Sequence, residues 1–186
     1  MTMADLSKTQ PVIGIFASDK GPGDPERASL MSQTGTLFAR RGAQLLCLWE
    51  NGVCPLPLMT AARTAGGPVS ILADEEVNVP PTLAGVPVRV VEDRAARHAL
   101  LAEEAQVLLA LPGSLASASS LFGAWAAGQG KPKPVVMLNR HRAFEVVKGF
   151  AGDVLSHSVA GYDRNIQFAD TVEDLWHKVS WVLERR

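Results

Sequence analysis

Short apolar runs alternate with longer amphipathic segments along the whole chain. Val12–Ala17 is an apolar run of strand length. Asp24-Pro25-Glu26 then carries three marks of a helix start: an N-cap Asp, Pro at the first helical position and an acid in the first turn. That helix is expected to reach about Arg41, with Gly42 as its stop. Ala43–Trp49 reads as a second strand, Pro55–Ala65 as a short helix ended by Gly66-Gly67, and Val69–Ala73 as a third strand. A loop over Asp74–Gly85, broken by Pro80-Pro81, leads to a strand at Val86–Val91 and a helix at Asp93–Glu104. Val107–Leu111 is unbroken apolar sequence running into Pro112-Gly113, the pattern of a buried parallel strand. A helix from about Ser117 to Ala127 follows, then the tight connector Lys131–Pro134 and a buried strand at Val135–Asn139. Ala143–Ser156 reads as a helix weakened by Gly149 and Gly152, and Asn165–Phe168 as a short strand. Asp170-Thr171 caps a last helix, in which Val172, Leu175, Trp176, Val179 and Leu183 recur at helical spacing.

Strands that alternate with helices need crossover connections, and these make a parallel sheet. The expected fold is therefore α/β: a doubly wound, Rossmann-like parallel sheet of about seven strands with helices on both faces. No internal repeat or linker divides the chain, so a polar tail over residues 1–10 and one domain over residues 11–186 are expected. Ligands of such sheets bind outside the carboxyl ends of the strands, where strand order reverses. Three segments compete for that place: Ala17–Gly23, Glu50–Pro57 and Pro112–Ser120.

Composition narrows the possibilities. With 47% hydrophobic and 20% charged residues the chain is globular. A net charge of −1 leaves no electrostatic footprint for nucleic acid. No apolar run approaches the ~20 residues that span a bilayer, and the polar start MTMADLSKTQ has no signal core. A cytoplasmic protein with no membrane partner is expected. The two cysteines fit a reducing compartment and match no zinc spacing. Cys47 is expected in the core and Cys54 in a loop open to solvent. No metal and no cofactor is expected.

The candidate chemistry concentrates after Leu111. Pro112, Gly113, Ser114, Ser117 and Ser119 lie where a strand gives way to a helix, and small residues there let an anion approach backbone N–H groups. Helix capping and close packing explain the same serines equally well. Arg97 is a candidate cation for a phosphate or substrate, set against a solvated helix face. Glu50, just past a strand end, is the best candidate for a catalytic carboxylate, set against a surface-loop acid. Ser18, Asn51 and Gly52 complete the candidate ligand-binding set. Asn139-Arg140-His141-Arg142 reads mainly as a solvated basic turn. Trp176 and Trp181 read as core or dimer-contact residues.

These residues carry a family resemblance that covers most of the chain. Arg97-His98 stands where an Arg-Lys pair would, and Pro112–Ser120 where PGGxGTxxE would. Lys133–Asn139 is similar to a KPVxLLN strand, and Phe168–Leu175 to a final strand-to-helix step. The chain thus resembles the LONELY GUY group, long labelled lysine decarboxylase-like, within the Rossmann-like nucleotide-binding superfamily that also includes molybdenum-cofactor carriers. The departures are specific. Ser114 and Ala116 replace the motif's second and third glycines, and Ser117 its threonine. Ser119 replaces its glutamate, with Ser120 next to it. Trp49–Leu56 replaces a glycine-rich phosphate loop, keeping only Gly52.

The resemblance implies hydrolysis of the N-glycosidic bond of a nucleoside monophosphate. That chemistry needs a phosphate held at a helix start, an anchoring cation and a carboxylate. The first two are expected here and the third is missing from its usual place. The leading expectation is a binding protein for a nucleotide or similar phosphorylated small ligand. The alternatives are a phosphoribohydrolase with Glu50 as a relocated acid, and a molybdenum-cofactor carrier. The resemblance also implies a homodimer or higher homo-oligomer.

Overall fold

The structure, a computed structural model, describes residues 10–18, 25–127, 133–158 and 160–185. Most of the expected polar tail, the Asp24 cap, the Asp19–Gly23 part of the first candidate loop and half of the Lys131–Pro134 connector lie outside the described residues.

Seven strands form one sheet: β1 (Val12–Phe16), β2 (Gln44–Trp49), β3 (Val69–Ala73), β4 (Val88–Val90), β5 (Val107–Ala110), β6 (Val135–Leu138) and β7 (Ile166–Ala169). Their order is β4-β3-β2-β1-β5-β6-β7, and every pair is parallel. The chain winds outward from β1 to β4, then returns to lay β5 against the other side of β1. Strand order therefore reverses between β1 and β5, where Ile13 pairs with Val107 and Phe16 with Ala110. The central strands are buried along their length, which is why β3, β5 and β6 read as continuous apolar runs. The short β4 lies at the sheet edge, and its exposed Arg89 pairs with Glu104 at 2.5 and 2.6 Å.

Two apolar layers cover the sheet. On one face α1 (Pro25–Arg40), α2 (Leu56–Thr64) and the last helix, α8 (Val172–Glu184), pack Phe38, Leu58, Leu175 and Val179 against Ile13, Ile15 and Ile71. Trp176 meets Phe38 edge-on at 5.2 Å, as a core residue. On the other face α3 (Arg94–Glu104) and α4 (Leu115–Ala127) pack Leu101, Leu121 and Ala124 against Leu46, Leu72 and Leu108. Gly35 sets the crossing of α1 and α2, because a Cβ there would lie 2.2 Å from the Leu58 carbonyl oxygen.

The element boundaries depart from the sequence reading where side-chain chemistry intervenes. α4 begins two residues early, because Ser114 rather than a later serine accepts a first-turn N–H. The expected Ala143–Ser156 helix is divided into α5 (Glu145–Phe150), a wide π turn (Ala151–Leu155) and α6 (Ser156–Ser158), and Gly152 falls in the wide turn. A further turn of helix, α7 (Tyr162–Asn165), follows Gly161 at φ +71°. Cys54 is buried at 8% exposure, against the expectation of an open loop residue, because the chain turns tightly after β2 and carries it beneath α2. Cys47 is fully buried, and burial pushes its thiol well above the ordinary range. No helix among the described residues is long and apolar enough to cross a membrane.

The helix crossing gives a direct test. Gly35→Ala should destabilise the protein by about 2 kcal/mol or more, the cost of overpacking against rigid backbone. Gly149→Ala, where a Cβ meets nothing within 4 Å, should instead stabilise it by about 0.5–1 kcal/mol. Urea unfolding of the two variants reads both values.

Candidate functional site

The carboxyl edge of the sheet is shaped first by the turn after β2. Asn51 and Gly52 sit at φ +51° and +71°, the left-handed pair of a two-residue hairpin. Glu50 and Val53 exchange backbone hydrogen bonds of 3.0 and 2.9 Å across it. The turn holds Glu50 rigidly at the strand end. It is tied to the next strand by the Asn51 N–H, which donates to Asp74 Oδ2 at 2.7 Å.

The second contribution comes from α3. Asp93 caps it, accepting the Ala96 N–H at 2.7 Å. Arg94, Arg97 and His98 are spaced i, i+3, i+4 and so share one helix face. Arg97 is 3% exposed. Its Nε and Nη2 donate to Glu50 Oε2 at 3.0 and 2.5 Å, and its Nη1 donates to the carbonyls of Val91 and Glu92 at 2.6 and 3.1 Å. His98 Nε2 lies 3.1 Å from the same carboxylate oxygen, and the Ser120 hydroxyl of α4 donates to Glu50 Oε1 at 2.9 Å. Gly123 lets α4 close on the His98 ring, since a Cβ there would stand 2.6 Å from Nδ1. One carboxylate thus joins β2, α3 and α4.

Burial pushes the Glu50 carboxyl up, but hydrogen bonds from His98, Arg97 and Ser120 more than reverse this and hold it down at about 2. At neutral pH Glu50 is a fixed negative charge with its lone pairs engaged. A carboxylate so strongly stabilised is a feeble proton acceptor, because efficient base catalysis needs a pKa near the working pH.

Beside this cluster lies a cavity of about 670 Å³ at the carboxyl ends of β1, β2 and β5, where strand order reverses. Its walls include Ser18, Glu50, Asn51, Arg97, Ser114, Ser117 and Ser119. Ser114 and Ser117 form a reciprocal cap at the start of α4. Ser117 N–H donates to Ser114 Oγ at 3.3 Å, Ser114 N–H donates to Ser117 Oγ at 3.1 Å, and Ser117 Oγ donates to the Ser114 carbonyl at 2.8 Å. The remaining first-turn amides, those of Leu115 and Ala116, have no helical partner by geometry. Arg94 stands at this opening and donates to Ser119 Oγ at 2.8 Å. Gly113 permits the close approach of β1 and the cap, for its Cβ would lie 2.5 Å from Ser117 Oγ and 3.3 Å from Ser18 N.

The structure therefore gathers most of the sequence candidates around one space and distributes the others. Pro112 and Gly113 line a second cavity on the far side of the same turn, and Gly52 lines neither. The Arg140–Arg142 turn pairs with acids instead: Arg140 and His141 meet Glu26 at 3.3 and 2.8 Å, and Arg142 meets Glu145 at 3.8 Å. Arg94 and Asp74 are not among the sequence candidates, and His98 and Ser120 enter only through the motif comparison. The i, i+3, i+4 spacing on α3 is the signal for Arg94 and His98. Asp74, the first residue past β3, is found by asking what stands at each strand's carboxyl end. Among the described residues no cluster of His, Cys, Asp and Glu is arranged to hold a metal ion.

No family model matches the chain, and no curated protein matches it by sequence. Solved structures do. The Moco carrier protein from Chlamydomonas reinhardtii superposes with a TM-score of 0.72 at 20% identity, over 96% of this chain and 100% of that one. The molybdenum cofactor binding protein from Rippkaea orientalis gives 0.69 at 21% identity, over 95% and 99%. DNA processing protein A from Streptococcus pneumoniae gives 0.56 at 12% identity, over 90% of this chain and 61% of that one. At these identities the likeness is one of fold, and one fold hosts several functions. The protein has the single-domain, Rossmann-like α/β architecture of the molybdenum-cofactor carriers.

Two measurements test the buried cluster. Glu50 is depressed from 4.5 to about 2, so its contribution to stability is complete above about pH 4.5 and is lost as pH falls toward 2. Glu50→Gln should flatten the stability profile across that window in acid titrations followed by circular dichroism. Arg97→Met, which strands the Glu50 charge, should cost about 3–5 kcal/mol, and adding Glu50→Gln to it should recover part of that loss.

Proposed function

We propose that the protein binds a small phosphorylated ligand of nucleotide-like size in the cavity beside β1 and β5, without hydrolysing it. The observation that carries this reading is the pairing of Glu50 with Arg97. It puts the carboxylate that the sequence offers as the best candidate for a relocated acid into a salt bridge with the cation expected to serve beside it. The family that the sequence resembles uses a glutamate on α4, and here Ser119 and Ser120 stand in that stretch. What remains suits recognition of an anion: the Leu115 and Ala116 amides at a helix start, the hydroxyls of Ser114, Ser117 and Ser119, and the Arg94 guanidinium. Ser18 and Asn51 also line the cavity. In this reading Arg97 and Glu50 shape the floor, and Arg94 takes the role of the anchoring cation. As in the divergent LONELY GUY-type expectation, a homo-oligomer remains part of the proposal.

A second reading is favoured by the structural neighbours. Two of them are molybdenum cofactor binding or carrier proteins and match this chain over nearly their whole length. The molybdenum cofactor bears a phosphate, so it falls in the same ligand class, as cargo rather than as a catalytic group. Molybdenum analysis of the purified protein separates this ligand from a plain nucleotide.

The experiment is thermal denaturation with AMP together with chromatography of the incubated mixture. Saturating AMP, at about 100 times its Kd, should stabilise the protein by about 2.7 kcal/mol. No free adenine should appear, and Arg94→Ala should abolish most of the stabilisation. Release of adenine by the wild-type protein but not by Glu50→Gln would make the protein a hydrolase and overturn the binding reading.

A further inference from the structure

The second cavity, about 390 Å³, lies on the other side of the Pro112-Gly113 turn and differs in character from the first. Its walls are largely apolar, with Phe16, Leu121, Phe122, Phe144 and Val147 among them. Phe122 is 43% exposed at this place, a large aromatic face left open to solvent. The single charged side chain in the lining is Arg27, in the first turn of α1.

Arg27 is half-buried, and no described residue gives it an ion pair or hydrogen bond. Its sequence neighbour Glu26 turns away to Arg140 and His141, whose hydrogen bonds hold that carboxyl below its ordinary range. Arg97, the buried arginine of the neighbouring cavity, is by contrast fully engaged with Glu50 and two carbonyls. A guanidinium set against an apolar wall has lost hydration that no carboxylate among the described residues restores. An anion that enters with an apolar body attached satisfies both parts of such a cavity at once.

We infer that this second cavity is a binding site for a small amphipathic anion, an aryl or short acyl group bearing one phosphate or carboxylate, with Arg27 as its counter-charge. The apolar body lies among Phe16, Leu121, Phe144 and Val147, and Phe122 covers it from the solvent side. The site stands apart from the cavity that holds Arg94, although both touch Phe16, Ser114 and Ser117. It does not depend on what the first cavity binds.

The probe is 1-naphthyl phosphate, followed by its own fluorescence, with inorganic phosphate and 1-naphthol as competitors that each carry half of the recognised chemistry. Arg94→Gln, which disables the anchoring cation of the first cavity, should still bind the probe. Arg27→Gln should weaken binding at least tenfold, and Arg27→Lys should retain part of it. Either competitor alone should displace the probe only at far higher concentration. Thermal melts of the Arg27 variants matching the wild type show that the fold is intact. The inference is overturned if the wild-type protein does not bind the probe, or if Arg27→Gln binds as well as wild type. It is also overturned if Arg94→Gln rather than Arg27→Gln loses binding. An AMP response lost in Arg94→Ala but kept in Arg27→Gln identifies the first cavity separately, so either site can fail without the other.

Discussion

One buried ion pair organises the working edge of this protein. Glu50 and Arg97 face each other with side chains 13% and 4% exposed, where neither charge is tolerable alone. Each is completed by further partners: His98 and Ser120 for the carboxylate, and the Val91 and Glu92 carbonyls for the guanidinium. The pair locks the turn after β2 to α3 and, through Ser120, to α4. Such a lock fixes the β2, α3 and α4 walls of the adjoining cavity. It also engages Glu50 and Arg97, the acid and the cation that a hydrolytic reading would assign.

The fold supplies the location and the helix start supplies the chemistry. Reversal of strand order between β1 and β5 leaves a crevice that no crossover fills. α4 begins at its rim with two amides outside the serine cap, and Arg94 reaches Ser119 of the same helix. Gly113 lets the segment after β1 approach the start of α4 closely, and the same turn divides the polar cavity from the apolar one behind it.

Much of this architecture is legible in the sequence, because apolar runs of strand length and caps such as Asp93 and Thr171 act locally. The carboxyl-edge candidates were legible for the same reason: once the strands are placed, their ends are known. The pairing of Glu50 with Arg97 was not, since 47 residues separate them and only the lateral order of β2, β1 and β5 brings α3 over the end of β2. Asn51-Gly52 carries a hairpin signature that explains the turn better than comparison with a glycine-rich phosphate loop does. Gly149 and Gly152 mark the expected 143–156 helix as weak, but a π turn leaves no periodic trace in so short a segment that would place the division. Cys54 was misplaced because a tight turn can bury a residue that lies in a loop by sequence.

The claim on which the rest depends is that the first turn of α4 still receives an anion despite its own serine cap. Backbone amide NMR during titration with inorganic phosphate addresses it residue by residue. The expected result is saturable shifts centred on the Leu115 and Ala116 amides and on the Arg94 side chain, with the Ser114 and Ser117 amides moving less. Saturation elsewhere on the surface, with Leu115 and Ala116 unmoved, would contradict it.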